Sequence, residues 1–134
     1  MWKSAASKSA LPVETDELIT RIIGCAIQVH SELGPGFLEN IYSGALALEF
    51  GHSGVAFERE KSVVVPYRGD AIAVQRLDFV VDAQVILEIK SVARVDPVFR
   101  AKLLSYMRAA KIRAGLLINF NVALLKDGIE RFVL

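Results

Sequence analysis

Apolar residues early in the chain recur at helical spacing. Leu18, Ile22, Cys25, Ala26, Val29 and Leu33 fall three or four apart and share one helix face. Thr15 stands where it can cap this helix, and Asp16 and Glu17 suit the positive end of its dipole. Gly34-Pro35-Gly36 is expected to stop it, because glycine tolerates a left-handed C-cap and proline cannot continue a helix. A second helix is predicted over residues 37–50, with Leu38, Ile41, Ala45 and Leu48 as its apolar stripe. Gly51-His52-Ser53-Gly54 should end it, and the short link makes the pair a helical hairpin. The period then changes to that of strands. Residues 55–65 read as one strand, Tyr67-Arg68-Gly69-Asp70 as a turn, and 71–75 continued by 77–81 as the next. Asp82-Ala83-Gln84 fits a hairpin loop leading into a strand over 85–90. Pro97 is placed to open a helix reaching about Lys111. Residues 114–120 are apolar enough for a central, doubly covered strand. A loop or single turn over 121–128 precedes a closing strand over 129–134. The order ααβββαββ predicts an α/β fold, a mixed β-sheet flanked by helices.

The chain of 134 residues suits one domain, predicted over residues 14–134. Residues 1–13 read as a disordered tail, whose Ser, Ala and Lys without an apolar run argue against a signal peptide. A hydrophobic content of 53% and a mean hydropathy of +0.40 are high for this size. They fit either a deeply buried sheet or an apolar patch for self-association, such as a homodimer. No apolar run approaches the ~20 residues that span a bilayer, so no membrane partner is expected. Cys25 is the only cysteine, which excludes an internal disulfide and fits a cytoplasmic setting. A net charge of +1 does not by itself announce a nucleic-acid binder. The distribution is more informative. Between Lys90 and Arg113 the only acid is Asp96, while Arg94, Arg100, Lys102, Arg108 and Lys111 are basic. A basic surface of this kind suits phosphate, although a solvated helix face is the commoner origin of such a cluster.

Strand alternation projects Glu88 and Lys90 to one side of Leu87 and Ile89. Charged groups on so apolar a strand must be paired, solvated or bound to metal. A three-residue loop at 82–84 would set Val81 opposite Val85 and Asp78 opposite Glu88, two carboxylates about 5 Å apart. A divalent cation between them would remove the repulsion, and hard carboxylate oxygens suit Mg²⁺. For a bare Glu-x-Lys a surface ion pair is the commoner outcome. Asp78 at hairpin spacing shifts the balance toward a site.

Asp78…Glu88-Ile89-Lys90 resembles the D…(D/E)xK signature of the PD-(D/E)xK nuclease superfamily. Gly36-Phe37-Leu38-Glu39-Asn40-Ile41-Tyr42 is similar to the G-x-x-E-x-x-Y motif of the bacterial GxxExxY family, which is placed in that superfamily. The similarity also takes in Val29-His30, Leu33-Gly34-Pro35, the run from Gly115 to Phe120, and Leu125-Lys126-Asp127-Gly128-Ile129. The resemblance implies a restriction-endonuclease-like core that hydrolyses DNA with Mg²⁺ or Mn²⁺. In it Asp78, Glu88 and the Ile89 carbonyl would ligate the metal, and Glu39 would complete the set. Lys90 would position water or stabilise the phosphate. Arg100, Lys102 and Tyr106 become nucleic-acid-binding candidates, and His30 and Tyr42 match family positions without an assigned role. Taken alone, a histidine within a helix is more often a satisfied core residue than a ligand, and a tyrosine more often packs with its hydroxyl bonded. Two positions depart from the pattern. Leu77 replaces a small residue or proline, and Lys102 replaces a glutamine four residues before Tyr106. The alternative function is a catalytically inactive nuclease-fold module that binds nucleic acid or a protein partner.

Overall fold

The computed structural model describes residues 3–4 and 10–134. The elements in chain order are β1 (Lys3–Ser4), α1 (Val13–Leu33), α2 (Glu39–Ser53), β2 (Phe57–Tyr67), β3 (Asp70–Val81) and β4 (Val85–Lys90). They continue with α3 (Pro97–Ala110), β5 (Ala114–Asn119), a short 3-10 helix (Leu125–Gly128) and β6 (Ile129–Val133). The strands form one mixed sheet in the order β1-β6-β5-β4-β3-β2. β4 and β5 run parallel, as do β1 and β6, and the remaining neighbours are antiparallel. The structure thus has the expected α/β architecture of a mixed sheet flanked by helices. The predicted tail falls partly on residues 1–2 and 5–9, which lie outside the described residues. Lys3–Ser4 pair with Glu130 and Arg131 of β6, and Leu11 is buried.

Two apolar cores lie on opposite faces of the sheet. On one, Ile19, Ile22 and Ala26 of α1 and Tyr42, Leu46 and Phe50 of α2 cover Phe79, Leu87, Leu116 and Ile118. On the other, Leu103 and Met107 of α3 cover Leu77, Ile86, Leu117 and Phe132. β5 is buried at every position because both layers close over it, as its unbroken apolar run predicts.

Several local expectations are corrected. α1 starts two residues before Thr15, with Pro12 in the cap position at φ −53 and no side-chain cap. Thr15 is buried, and its hydroxyl donates to Gln84 Oε1 at 2.7 Å rather than capping. α2 does not bury the stripe of Leu38, Ile41 and Leu48, which are 75%, 43% and 68% exposed. It is rotated so that Tyr42, Leu46 and Phe50 face the sheet. Large rings bury more apolar area per residue than leucine or isoleucine, so they decide which face turns inward. The helix also runs on to Ser53, where Gly54 closes it with a left-handed φ of 69. β3 is continuous from 70 to 81, so the β2–β3 hairpin extends well past the end of β4.

Candidate active site

β4 pairs with β5 along its whole length but with β3 only at Phe79–Leu87, Val80–Ile86 and Val81–Val85. The register is the one a three-residue loop sets. Beyond Phe79 the strands part, so Asp78 does not sit in a ladder pair with Glu88. The parting leaves the Ile89 backbone N–H without a strand partner on that side. Asp78 Oδ2 accepts it at 2.8 Å, a side chain taking the place of a ladder bond. On β2 the residue at this level is Glu60, between the Arg59–Phe79 and Lys61–Leu77 pairs. Its φ is +54, a left-handed conformation that interrupts the pleat.

Glu88 follows Ile86 toward the α3 face. It is 9% exposed, and its Oε1 has no hydrogen-bond partner. Lys90 lies on the same side, its Nζ 4.3 Å from the centre of the Phe99 ring of α3. Glu39 is the first residue of α2, where the helix dipole favours an acid. The loop that delivers it is fixed by Tyr42, whose hydroxyl donates to the Gly34 carbonyl and accepts the Phe37 N–H at 3.1 Å. Ser91 Oγ donates to the Phe37 carbonyl and ties the same loop to the end of β4.

A cleft of about 290 Å³ separates α2 from the β2–β3 hairpin. Glu39, Asn40, Ser43, Arg59, Glu60 and Asp78 line it, together with Ile89. Burial raises the Asp78 pKa from its ordinary value, opposed by the Ile89 N–H and by Lys90. Burial also raises Glu88, to about 7, helped by the charge of Asp78 and, more weakly, of Glu39, and opposed by Lys90. Tyr106 is pushed up by burial and then by Glu88 and Asp78. Glu88 thus feels Asp78, Lys90 and Glu39, and the charges of Glu88 and Asp78 extend to Tyr106 on α3.

Other predicted positions lie elsewhere. His30 is buried, with Nε2 2.8 Å from the Val122 carbonyl and its ring against Phe120. Tyr42 is wholly buried, stacks on Phe120 at 4.5 Å and has its hydroxyl bonded on both sides. Arg100 grips both carboxylate oxygens of Glu130, at 2.6–2.8 Å. Lys102 and Tyr106 line a separate groove with Val65 and Gln75 of the hairpin.

The structure adds residues that the sequence reading passed over. Arg59 and Glu60 both enter the cleft because the backbone turns left-handed at Glu60, and Asn40 and Ser43 follow Glu39 along α2. Asn119 is 4% exposed at the end of β5. Its amide accepts the Val92 and Asn121 N–H groups and donates to the Val92 carbonyl at 3.0 Å, which anchors the loop after Lys90. One polar residue ending so apolar a strand was its visible signal.

Among the described residues no group of three or more His, Cys, Asp or Glu side chains is arranged to hold a metal ion. The donor chemistry nevertheless fits a hard divalent cation. Asp78 and Glu88 offer carboxylate oxygens, Glu88 Oε1 is buried without a partner, and burial raises the protonation of both acids. A family model described as the PD-(D/E)XK nuclease superfamily matches residues 16–132. None of the curated proteins and none of the solved structures compared with the chain matches it.

Proposed function

The chain belongs to the PD-(D/E)XK nuclease superfamily, and from that premise we propose that it is a divalent-metal-dependent nuclease hydrolysing phosphodiester bonds in DNA. The observation that carries the proposal is Glu88, a buried carboxylate with an unpartnered oxygen beside Asp78. Asp78 and Glu88 would hold Mg²⁺ or Mn²⁺, completed by the Ile89 carbonyl and by Glu39 from across the cleft. When bound there, such an ion lowers the pKa of a water and stabilises a leaving oxygen. Lys90 favours the ionised form of both acids, and its charge would counter that of a phosphate held at the metal. Lys102 and Tyr106 offer a cation and a ring to the nucleic acid flanking the cleft. Arg100 is left out of that role, because Glu130 already occupies its guanidinium fork. Membership of the GxxExxY family, a cytoplasmic setting and self-association as a homodimer belong to the same reading. No helix among the described residues is long and apolar enough to cross a membrane.

The test is cleavage of single- and double-stranded DNA by the purified chain with Mg²⁺ or Mn²⁺. Activity should disappear in Asp78→Ala and Lys90→Ala. Substrates that stay intact with the parent protein would remove the catalytic reading.

One observation favours a second reading, a nuclease-fold module that binds without cutting. The Lys90 ammonium rests on the Phe99 ring rather than against a carboxylate. Calorimetry separates the two. Absence of Mn²⁺ binding, with nucleic-acid affinity unchanged in Asp78→Ala, would support the module.

A further inference from the structure

Arg59 is the one cation lining the cleft among the described residues, and neither of the acids beside it in sequence pairs with it. Its sequence neighbours are both acids, yet each is taken by a different cation. Glu58 pairs with Lys61 at 2.9 Å and Glu60 with Arg76 at 3.2 Å. Arg59 makes no salt bridge among the described residues, although Glu39, Glu60 and Asp78 line the same space. The side chain is directed by its strand register. Arg59 pairs with Phe79, whose ring lies in the core beneath α2, and the guanidinium carbon is 6.0 Å from the centre of that ring. The left-handed φ of Glu60 lets two consecutive strand residues reach one cleft, where regular alternation would turn one away. On the opposite wall, α2 presents Gly44 to the guanidinium, and a Cβ there would lie 3.9 Å from the Arg59 terminal nitrogen. The other basic group near the acids, Lys90, does not line this cleft and lies toward α3.

We propose that Arg59 is a substrate-binding residue whose guanidinium takes the non-bridging oxygens of a phosphodiester entering the cleft beside Asp78. The inference rests on the nuclease reading above and extends it to a residue outside the D…ExK signature. A planar fork of donors matches two phosphate oxygens at once, which lysine cannot reproduce. The Phe79 ring and α2 on either side narrow the directions open to the exposed guanidinium, which lowers the freedom lost on binding.

The experiment measures fluorescence anisotropy of a labelled oligodeoxynucleotide with the full chain in Ca²⁺, over a range of NaCl concentrations. Parent, Arg59→Ala, Arg59→Lys and Arg68→Ala are compared, Arg68 being an exposed control at the hairpin turn. Arg59→Ala should weaken binding about tenfold and lower the salt slope by about one ion. Arg59→Lys should recover part of the affinity, and Arg68→Ala should change nothing. With an oligonucleotide whose phosphates are replaced by uncharged methylphosphonates, parent and Arg59→Ala should bind alike, a result a merely structural arginine would not give. Parent binding that Arg59→Ala leaves unchanged overturns the proposal and spares the nuclease reading. A parent that neither binds nor cleaves DNA overturns both.

Discussion

Glu88 is held 9% exposed with one oxygen unpartnered, and its pKa rises from the ordinary 4.5 to about 7. Burial is the main cause and Asp78 the second. At low pH, below 4.5, the acid is protonated in the folded and unfolded chain alike, and its contribution to stability is fully present. As pH rises the unfolded chain ionises first, so that contribution is lost as pH passes through about 7. Glu88→Gln keeps the shape without the charge. In metal-free buffer it should be more stable than the parent at pH 8 by on the order of 3 kcal/mol, with the gap closing by pH 4.5. Urea denaturation at the two pH values checks this, and a gap that does not depend on pH would contradict it. The Tyr42 hydroxyl joins the Gly34 carbonyl to the Phe37 N–H, so Tyr42→Phe leaves a buried donor and acceptor unmet. A loss of about 1–3 kcal/mol is expected in denaturant unfolding. The tyrosine of the G-x-x-E-x-x-Y run then acts by holding the loop that delivers Glu39.

Among the elements, the strongest backbone constraint lies where the short 3-10 helix meets β5. A Cβ on Gly128 would stand 2.1 Å from the Asn119 carbonyl oxygen, which is backbone and cannot swing aside. A Cβ on Gly115 would stand 2.6 Å from the Met107 sulfur, the end of a flexible side chain. Gly128→Ala should therefore destabilise by about 3 kcal/mol or more, and Gly115→Ala by about 1, in parallel chemical denaturation. The reverse order would show that the β5 end yields more easily than α3. The Val81–Val85 register follows from a three-residue loop, and β5 declares itself by five apolar or small positions closed by one asparagine. The rotation of α2 was hidden, because periodicity weighs Leu38 and Tyr42 alike whereas buried area does not. The parting of β3 from β4 was hidden too. It coincides with a left-handed Glu60, and no glycine or asparagine marks that conformation in the sequence. The Arg100–Glu130 pair joins α3 to β6 across 30 positions, so the sequence showed a basic helix without showing that its Arg100 is already paired.

The whole molecule gathers its acids from elements that fold onto the sheet separately. Glu39 comes with α2 and the first core, Asp78 and Glu88 from the parting strands, and Lys90 from the α3 side. Burying the carboxylates raises the protonation of Asp78 and Glu88, helped at Glu88 by the charge of Asp78, so folding without a counter-ion works against their desolvation. An ion that binds only the assembled site must then stabilise the entire fold. At a concentration one hundred times its dissociation constant, the gain is about 2.7 kcal/mol. Both acids must lose their protons to bind it, so the gain should be larger at pH 8 than at pH 5.5, on either side of the Glu88 pKa of about 7. Scanning calorimetry should show Mn²⁺ raising the melting temperature of the parent at pH 8, with a much smaller rise at pH 5.5. Asp78→Asn and Glu88→Gln should each remove most of the rise at pH 8. Arg59→Ala should retain it, because a phosphate-gripping cation is not a ligand to the metal. Equal rises at both pH values, or a rise that survives both carboxylate changes, would place the ion somewhere other than this cleft.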